Sequence, residues 1–323
     1  MKIFIVGGAG YIGSHMVKIA HKAGHDVITL DNLSTGHQDA VLYGEFELCD
    51  ILDTIKLDKL FKKHKPSAVM HFSGYSLVSE SMTDPYKYYN NNVSGTLSLL
   101  KAMIDNNCMK FIFSSSAAIF GNPEYIPIDE IHPKNPINPY GKSKQMVEEI
   151  LSDFESAYGL KYVSFRYFNA AGQDPEGELS ERHDPETHLL PIIMQTLNAQ
   201  RDSISIFGND YNTKDGTCVR DYIHVVDLAK AHVMAVNHIL NNTKIKTAYN
   251  LGVGKGVSVQ QVIDSFEKVN KLKISHELGP RRAGDVEKIY SDNTKINDEL
   301  GWFPVMSFDS ALETAWNWEK LKN

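Results

Sequence analysis

Short apolar, β-branched runs alternate with amphipathic stretches along much of the chain. Residues 2–6, 27–30, 45–48, 68–72, 110–113, 162–165 and 248–251 read as strands. Between them, 13–23, 53–64, 85–104 and 139–158 carry helical periodicity. This alternation predicts βαβ units, and hence an α/β fold with a doubly wound parallel sheet. From about Asp174 the rhythm breaks, and 173–185, rich in Gly, Pro, Asp and Glu, predicts a loop. Helices over 188–199, 225–240 and 258–269, with short strands between, predict a smaller mixed α/β C-terminal lobe.

The 323 residues suit two lobes at roughly 150 residues per domain. No run approaches the roughly 18 apolar residues of a membrane span. The apolar start, Met1 to Val6, gives way at once to glycines, which is too short for a secretory core. A net charge of −7 disfavours general nucleic-acid binding, since nothing would offset phosphate repulsion. Cys49, Cys108 and Cys218 are odd in number and far apart, so a reducing cytoplasm is expected and a disulfide framework is not. His21 and His25 stand four apart without a third ligand nearby, so no metal site is expected.

The first strand runs into Gly7-Gly8-Ala9-Gly10-Tyr11-Ile12-Gly13. Glycines at 7, 10 and 13 permit a tight turn, let a pyrophosphate touch the backbone, and let the next helix pack on the strand. The helix N-terminus then faces the anion. With a strand before and an amphipathic helix after, the loop is Rossmann-like. The second strand leads to Asp31, whose carboxylate suits an adenosine ribose and would repel a 2′-phosphate. No Lys or Arg follows within 32–36, so NAD is expected over NADP.

Asn138-Pro139-Tyr140-Gly141-Lys142-Ser143-Lys144 opens the helix 139–158 with a capping Asn and a first-turn Pro. Tyr140 and Lys144 are then one turn apart on one face. A nearby ammonium, with a nicotinamide cation, would lower the phenol pKa and make Tyr140 a general base for a hydroxyl. Upstream, the strand 110–113 ends in Ser114-Ser115-Ser116, at the carboxyl edge where open α/β sheets bind ligands.

Together these residues resemble the extended short-chain dehydrogenase/reductase family, and more narrowly its UDP-sugar 4-epimerases. The resemblance runs essentially end to end. It includes Asp31-Asn32-Leu33, the segment 88–93, Arg166-Tyr167-Phe168-Asn169, the segments 206–211 and 215–225, and the segment 280–285. It implies Tyr140 as catalytic base and acid, Lys144 as its tuner and ribose ligand, and Ser116 as the partner of the sugar 4-oxygen. It implies that Gly7, Gly10, Tyr11, Ile12, Gly13, Asp31, Asn32, Asp50, Ile51, Phe72, Ser73, Gly74, Asn91, Ser114 and Phe168 line the cofactor. It implies that Asn169, Leu189, Phe207, Arg220, Tyr222, Arg282 and Asp285 bind the UDP-sugar. Ser76 stands where some epimerases have a cofactor-contacting lysine. In Thr187-His188-Leu189, His188 stands where some epimerases have an amide, and it either takes over that contact to a phosphate or sugar or makes none.

The activity so implied is interconversion of UDP-glucose and UDP-galactose through a 4-keto intermediate with tightly bound NAD. A wider range that includes UDP-N-acetylhexosamines, or another NAD-dependent nucleotide-sugar reaction, is the alternative. Family dehydratases carry an acidic pair beside the Ser, whereas Ala117 and Ala118 follow Ser116 here. Ile289 is expected at the sugar pocket, where a branched side chain disfavours N-acetyl groups. By these motifs the domains are 1–173 for the cofactor and 174–323 for the UDP-sugar, with 223–251 returning to the first. A homodimer through 85–104 and 139–158 is implied, with neither nucleic acid nor membrane as partner.

Overall fold

The structure is a computed structural model that describes residues 1–241, 247–282 and 285–322. Its strands are β1 (Lys2–Val6), β2 (Asp26–Asp31), β3 (Glu45–Leu48), β4 (Ala68–His71), β5 (Lys110–Ser116), β6 (Lys161–Tyr167), β7 (Asn169–Ala171), β8 (Ile204–Phe207), β9 (Val219–His224), β10 (Ala248–Leu251), β11 (Gly256–Ser258), β12 (His276–Gly279) and β13 (Lys288–Ile289). Seven form one sheet in the order β10-β6-β5-β4-β1-β2-β3. Every pairing within it is parallel. This is the doubly wound α/β sheet expected from the alternation. The strand order reverses between β1 and β4, so their carboxyl ends open a crevice.

The near-continuous apolar strands are buried on both faces, as a parallel sheet with helices on each side requires. On one face Ile3, Ile5, Val27, Met70 and Phe165 pack with helices Tyr11–Lys22 and Val225–Leu240. On the other, Phe4, Ile28, Val69, Phe111 and Phe113 pack with Leu57, Leu99, Val147 and Leu151. Beyond residue 168, β7, β9, β11 and β13 form a small mixed sheet, and β8 pairs with β12. Helices Leu189–Leu197, Val259–Asn270 and Phe308–Lys322 enclose a separate core there, with Ile193, Phe266 and Leu312 fully buried.

Some elements differ from expectation. The span 85–104 is not one helix. It divides into helix Pro85–Tyr88, a π-helical stretch Tyr89–Gly95, and helix Thr96–Asp105. The three consecutive asparagines are weak helix formers, and Gly95 touches Ile51 so closely that a side chain there would collide. β5 continues through Ser116, because Ser114, Ser115 and Ser116 pair with Phe165, Arg166 and Tyr167 of β6. Helices Val78–Thr83, Thr294–Leu300 and Phe308–Lys322 were not anticipated.

Buried ionic contacts tie loops to this frame. The Lys18 ammonium, 2% exposed, lies 2.6 Å from Asp174, 2.7 Å from Glu178 and 3.0 Å from Glu176, which holds the loop after β7 to the first helix. Asp221 is fully buried and accepts from Val253 N, Gly254 N, Ser291 N and the Ser291 hydroxyl. Glu148 accepts a two-pronged contact from buried Arg166, at 3.0 and 2.9 Å, and further bonds from Ser115 and Lys134. Arg166→Met leaves that carboxylate buried with Lys134 as its one cation among the described residues. A loss of about 3 kcal/mol is expected from the urea unfolding midpoint. The double variant Arg166→Met/Glu148→Gln should lose less, because the stranded charge is gone.

Candidate active site

Gly7 adopts φ +80°, and a side chain on it would strike the backbone of Ser73 at the end of β4. A side chain on Gly13 would strike the Gly7 carbonyl. The loop therefore lies flat across the crevice floor. Helix Tyr11–Lys22 begins at Gly10 without a side-chain cap, so its first-turn N–H groups stay open to an anion. Asp31 accepts from Ala9 N at 3.0 Å and Leu33 N at 2.8 Å, and a carboxylate has room for two more donors. Burial raises its carboxyl above the ordinary value, with the Leu33 and Ala9 amides opposing. Asn32 donates to Asp50 at 2.8 Å, and Ile51 beside it is buried. A bare glycine cradle, open helix N–H groups and a half-used carboxylate fit NAD.

Tyr140, Lys144 and Glu148 are spaced i, i+4, i+8 on helix Pro139–Tyr158. Asn138 caps this helix through Gly141 N at 2.8 Å. Gly141 rests on the Ala118 carbonyl, where any side chain would collide. That contact brings the helix start against Ser116, whose hydroxyl accepts from Ala118 N at 3.1 Å. Burial pushes the half-buried Tyr140 phenol above its usual pKa, and a hydrogen bond with Ser116 pulls it down. Lys144 is buried, donates to the Ser114 carbonyl at 2.8 Å, and lies 5.9 Å from the Tyr140 ring centroid. Burial lowers its ammonium to about 8. In the protein by itself burial is thus the larger influence on the phenol.

Other expected residues gather around this centre or stand apart from it. Gly74 leaves the space a side chain would need beside Lys144 Nζ and Asn92. Asn91 is half-buried and donates to the Asn92 side chain. Asn92 is the buried one, bonding Tyr75 N, Tyr75 O and the Ser143 hydroxyl. Phe168 packs with Ala117, Phe120 and Ile289. Phe72 and Ile12 pack against the sheet core. The Tyr11 hydroxyl donates to the Gly172 carbonyl at 2.6 Å, which ties the glycine loop to the strand end after β7.

In the second lobe Asn169 is exposed and pairs in register with Tyr222. Arg220 donates to the Val219 and Val286 carbonyls and reaches Asp285 at 3.5 Å. Arg282 lies 4.3 Å over the Phe207 ring. Ala283 and Gly284, within the expected 280–285 motif, lie outside the described residues. Leu189 packs into the second core. His188 stands 2.9 Å from Glu181. Ser76, which stands where some relatives have a lysine, is exposed in the segment after Gly74. Gly141, Glu148 and Asn92 escaped the sequence reading. The near repetition of serines and asparagines hides which one faces inward.

A parallel sheet with a glycine cradle, a Ser, and a Tyr and Lys on one helix face defines an NAD-dependent short-chain dehydrogenase-type site. The family model described as GDP-mannose 4,6 dehydratase matches residues 4–315. A UDP-glucose 4-epimerase of Lactobacillus helveticus is 47% identical over 322 residues, covering 99% of this chain and 97% of that protein. The crystal structure of UDP-glucose 4-epimerase from Brucella ovis in complex with NAD is 45% identical, with TM-score 0.95 and 98% of each chain covered. That from Bifidobacterium longum in complex with NAD+ and UDP is 36% identical, with TM-score 0.94, 99% of this chain and 98% of that one covered. The chain belongs to the UDP-glucose 4-epimerase group of the extended short-chain dehydrogenase/reductase family.

A lysine whose folded pKa is about 8 against an ordinary 10.5 penalises the folded state while both forms are protonated. The penalty is full below about pH 8 and fades as pH rises toward about 10.5. In NAD-free protein, Lys144→Met should raise unfolding free energy at pH 7 by roughly 2–3 kcal/mol, net of the lost bond to Ser114. The gain should shrink steadily toward pH 10. Urea titrations across that range check it, and a flat difference would contradict it.

Proposed function

We propose that this chain interconverts UDP-glucose and UDP-galactose by epimerisation at C4, as its relatives' names indicate for them. The observation that carries this reading is the convergence of Tyr140, Ser116 and Lys144 at the mouth of the glycine cradle. Bound NAD would supply the hydride acceptor and the positive ring whose field favours the phenolate. Gly7, Gly10, Gly13 and the first helical turn hold its pyrophosphate, and Asp31 holds its adenosine ribose. Lys144 holds the nicotinamide ribose with the donors that Ser114 leaves free.

Tyr140 takes the proton from the sugar 4-hydroxyl and later returns it, while Ser116 hydrogen-bonds the same oxygen through both steps. The 4-keto sugar turns about its link to the diphosphate before the proton returns. Arg220 and Arg282 bind the diphosphate, since guanidinium forks suit its oxygens. Asn169, Leu189, Phe207, Tyr222 and Asp285 complete the UDP-sugar site. A firmly held UDP end leaves the sugar free to present either face.

Residues 1–173, joined by 223–251, serve as the cofactor domain, and the β10–β6 pairing supports that division. Ile289, buried beside Phe168 and Ala117, narrows the sugar pocket and favours hexoses without an N-acetyl group. Exposed Leu97 and Met146 on helices Thr96–Asp105 and Pro139–Tyr158 support a homodimer through them. No described helix is long and apolar enough to cross a membrane. Cys49, Cys108 and Cys218 are free and buried, in keeping with a cytoplasmic enzyme.

Tyr140→Phe should fold, retain NAD, and lose about 10²–10⁴-fold in kcat. The assay follows UDP-glucose formation from UDP-galactose without added NAD. Undiminished turnover in that variant would sink the assignment.

A further inference from the structure

We propose that Glu181, His183, Glu186 and His188 form a four-coordinate site for a divalent transition metal of the zinc type. All four lie on the loop just before helix Leu189–Leu197, and one ligand atom from each falls within 4.8 Å of the others. Both carboxylates are buried, at 9% and 7% exposure. Among the described residues their ion-pair partners are the two histidines alone. Arg182 is engaged with Asp39, and Arg201 reaches only the Glu186 backbone carbonyl. Two carboxylates thus share a buried pocket without Lys or Arg, and a divalent ion would neutralise both.

The separations among the four side chains fit a metal centre. His183 Nδ1 lies 3.5 Å from an oxygen of Glu181 and 3.5 Å from one of Glu186. His188 Nδ1 lies 2.9 Å from Glu181 and 3.5 Å from Glu186. Zinc bond lengths to His nitrogen and carboxylate oxygen give a tetrahedron with edges of about 3.4 Å. His188 Nδ1 is close enough to Glu181 for an ion pair, whereas the three contacts at 3.5 Å are at the limit of hydrogen bonding. Two imidazoles with two carboxylates suit zinc or its neighbours better than magnesium or calcium, which prefer oxygen shells. The ion would clamp the 181–188 loop beside Tyr11, whose ring centroid is 6.4 Å from that of His183.

The test uses full-length, tag-free protein, freed of metal with a chelator and titrated with Zn²⁺ or Co²⁺ alone. One equivalent per chain is expected, with the strong visible bands of tetrahedral cobalt and a zinc-dependent rise in Tm. His183→Gln and Glu186→Gln should each weaken binding at least about tenfold, with NAD content and far-ultraviolet dichroism reporting that each variant folds. Absence of a stoichiometric ion in the wild type overturns the proposal, whether or not the variants fold. Binding that persists unchanged in both folded variants also overturns it. These readouts do not depend on the epimerase assignment.

Discussion

The contact between helix Pro139–Tyr158 and the end of β5 is the constraint on which the site depends. Three successive turns of that helix meet consecutive positions of one strand end. Gly141 lies on the Ala118 carbonyl and so lets Tyr140 approach Ser116. Lys144 reaches the Ser114 carbonyl, and Glu148 meets Ser115 and Arg166. Two of the contacts, those of Gly141 and Lys144, are to backbone carbonyls. A helix rotated or lifted by one side-chain layer would lose all of them together. The buried Glu148–Arg166 pair is costly to desolvate, and its role here is positional, since it sets the helix against both β5 and β6.

Charge is distributed to the same end. The chain is acidic overall, yet its buried or half-buried cations sit at junctions. Lys18 joins the first helix to the loop after β7 through three carboxylates. Arg166 joins β6 to helix Pro139–Tyr158. Arg220 joins β9 to the segment around Asp285 and Val286. Lys144 differs from these, for it is buried without a carboxylate partner among the described residues, and burial lowers its pKa accordingly. A cation kept poor in partners retains donors for a ligand hydroxyl.

The two lobes, proposed to divide anchoring from chemistry, do not divide the chain cleanly. Helix Val225–Leu240 and β10 follow β9 of the small lobe and pack back on the large sheet. Asp221, at the crossing, orders the turns at 253–254 and at Ser291 through four hydrogen bonds. The groups proposed to bind UDP on β9 are therefore fixed relative to the crevice by buried polar contacts rather than by a linker.

Much of this was legible in the sequence. Glycines before a helix and a Tyr and Lys at helical spacing are local patterns, because one turn of helix or one tight turn dictates them. The parallel sheet followed from periodicity alone. Other features were hidden because they depend on partners distant in the chain. Among Asn90, Asn91 and Asn92, only the π-helical turn decides that Asn92 faces inward toward Ser143. Nothing local marks Gly141 as a contact with Ala118, or Glu148 as the mate of Arg166. The weight of burial on the phenol was also hidden, since the lysine could be counted from sequence but burial could not. The sequence by itself determined which chemistry the chain carries and in what order. Only the tertiary structure decided which groups meet, which are desolvated, and so which are reactive, because burial and long-range contact are properties of the packed chain.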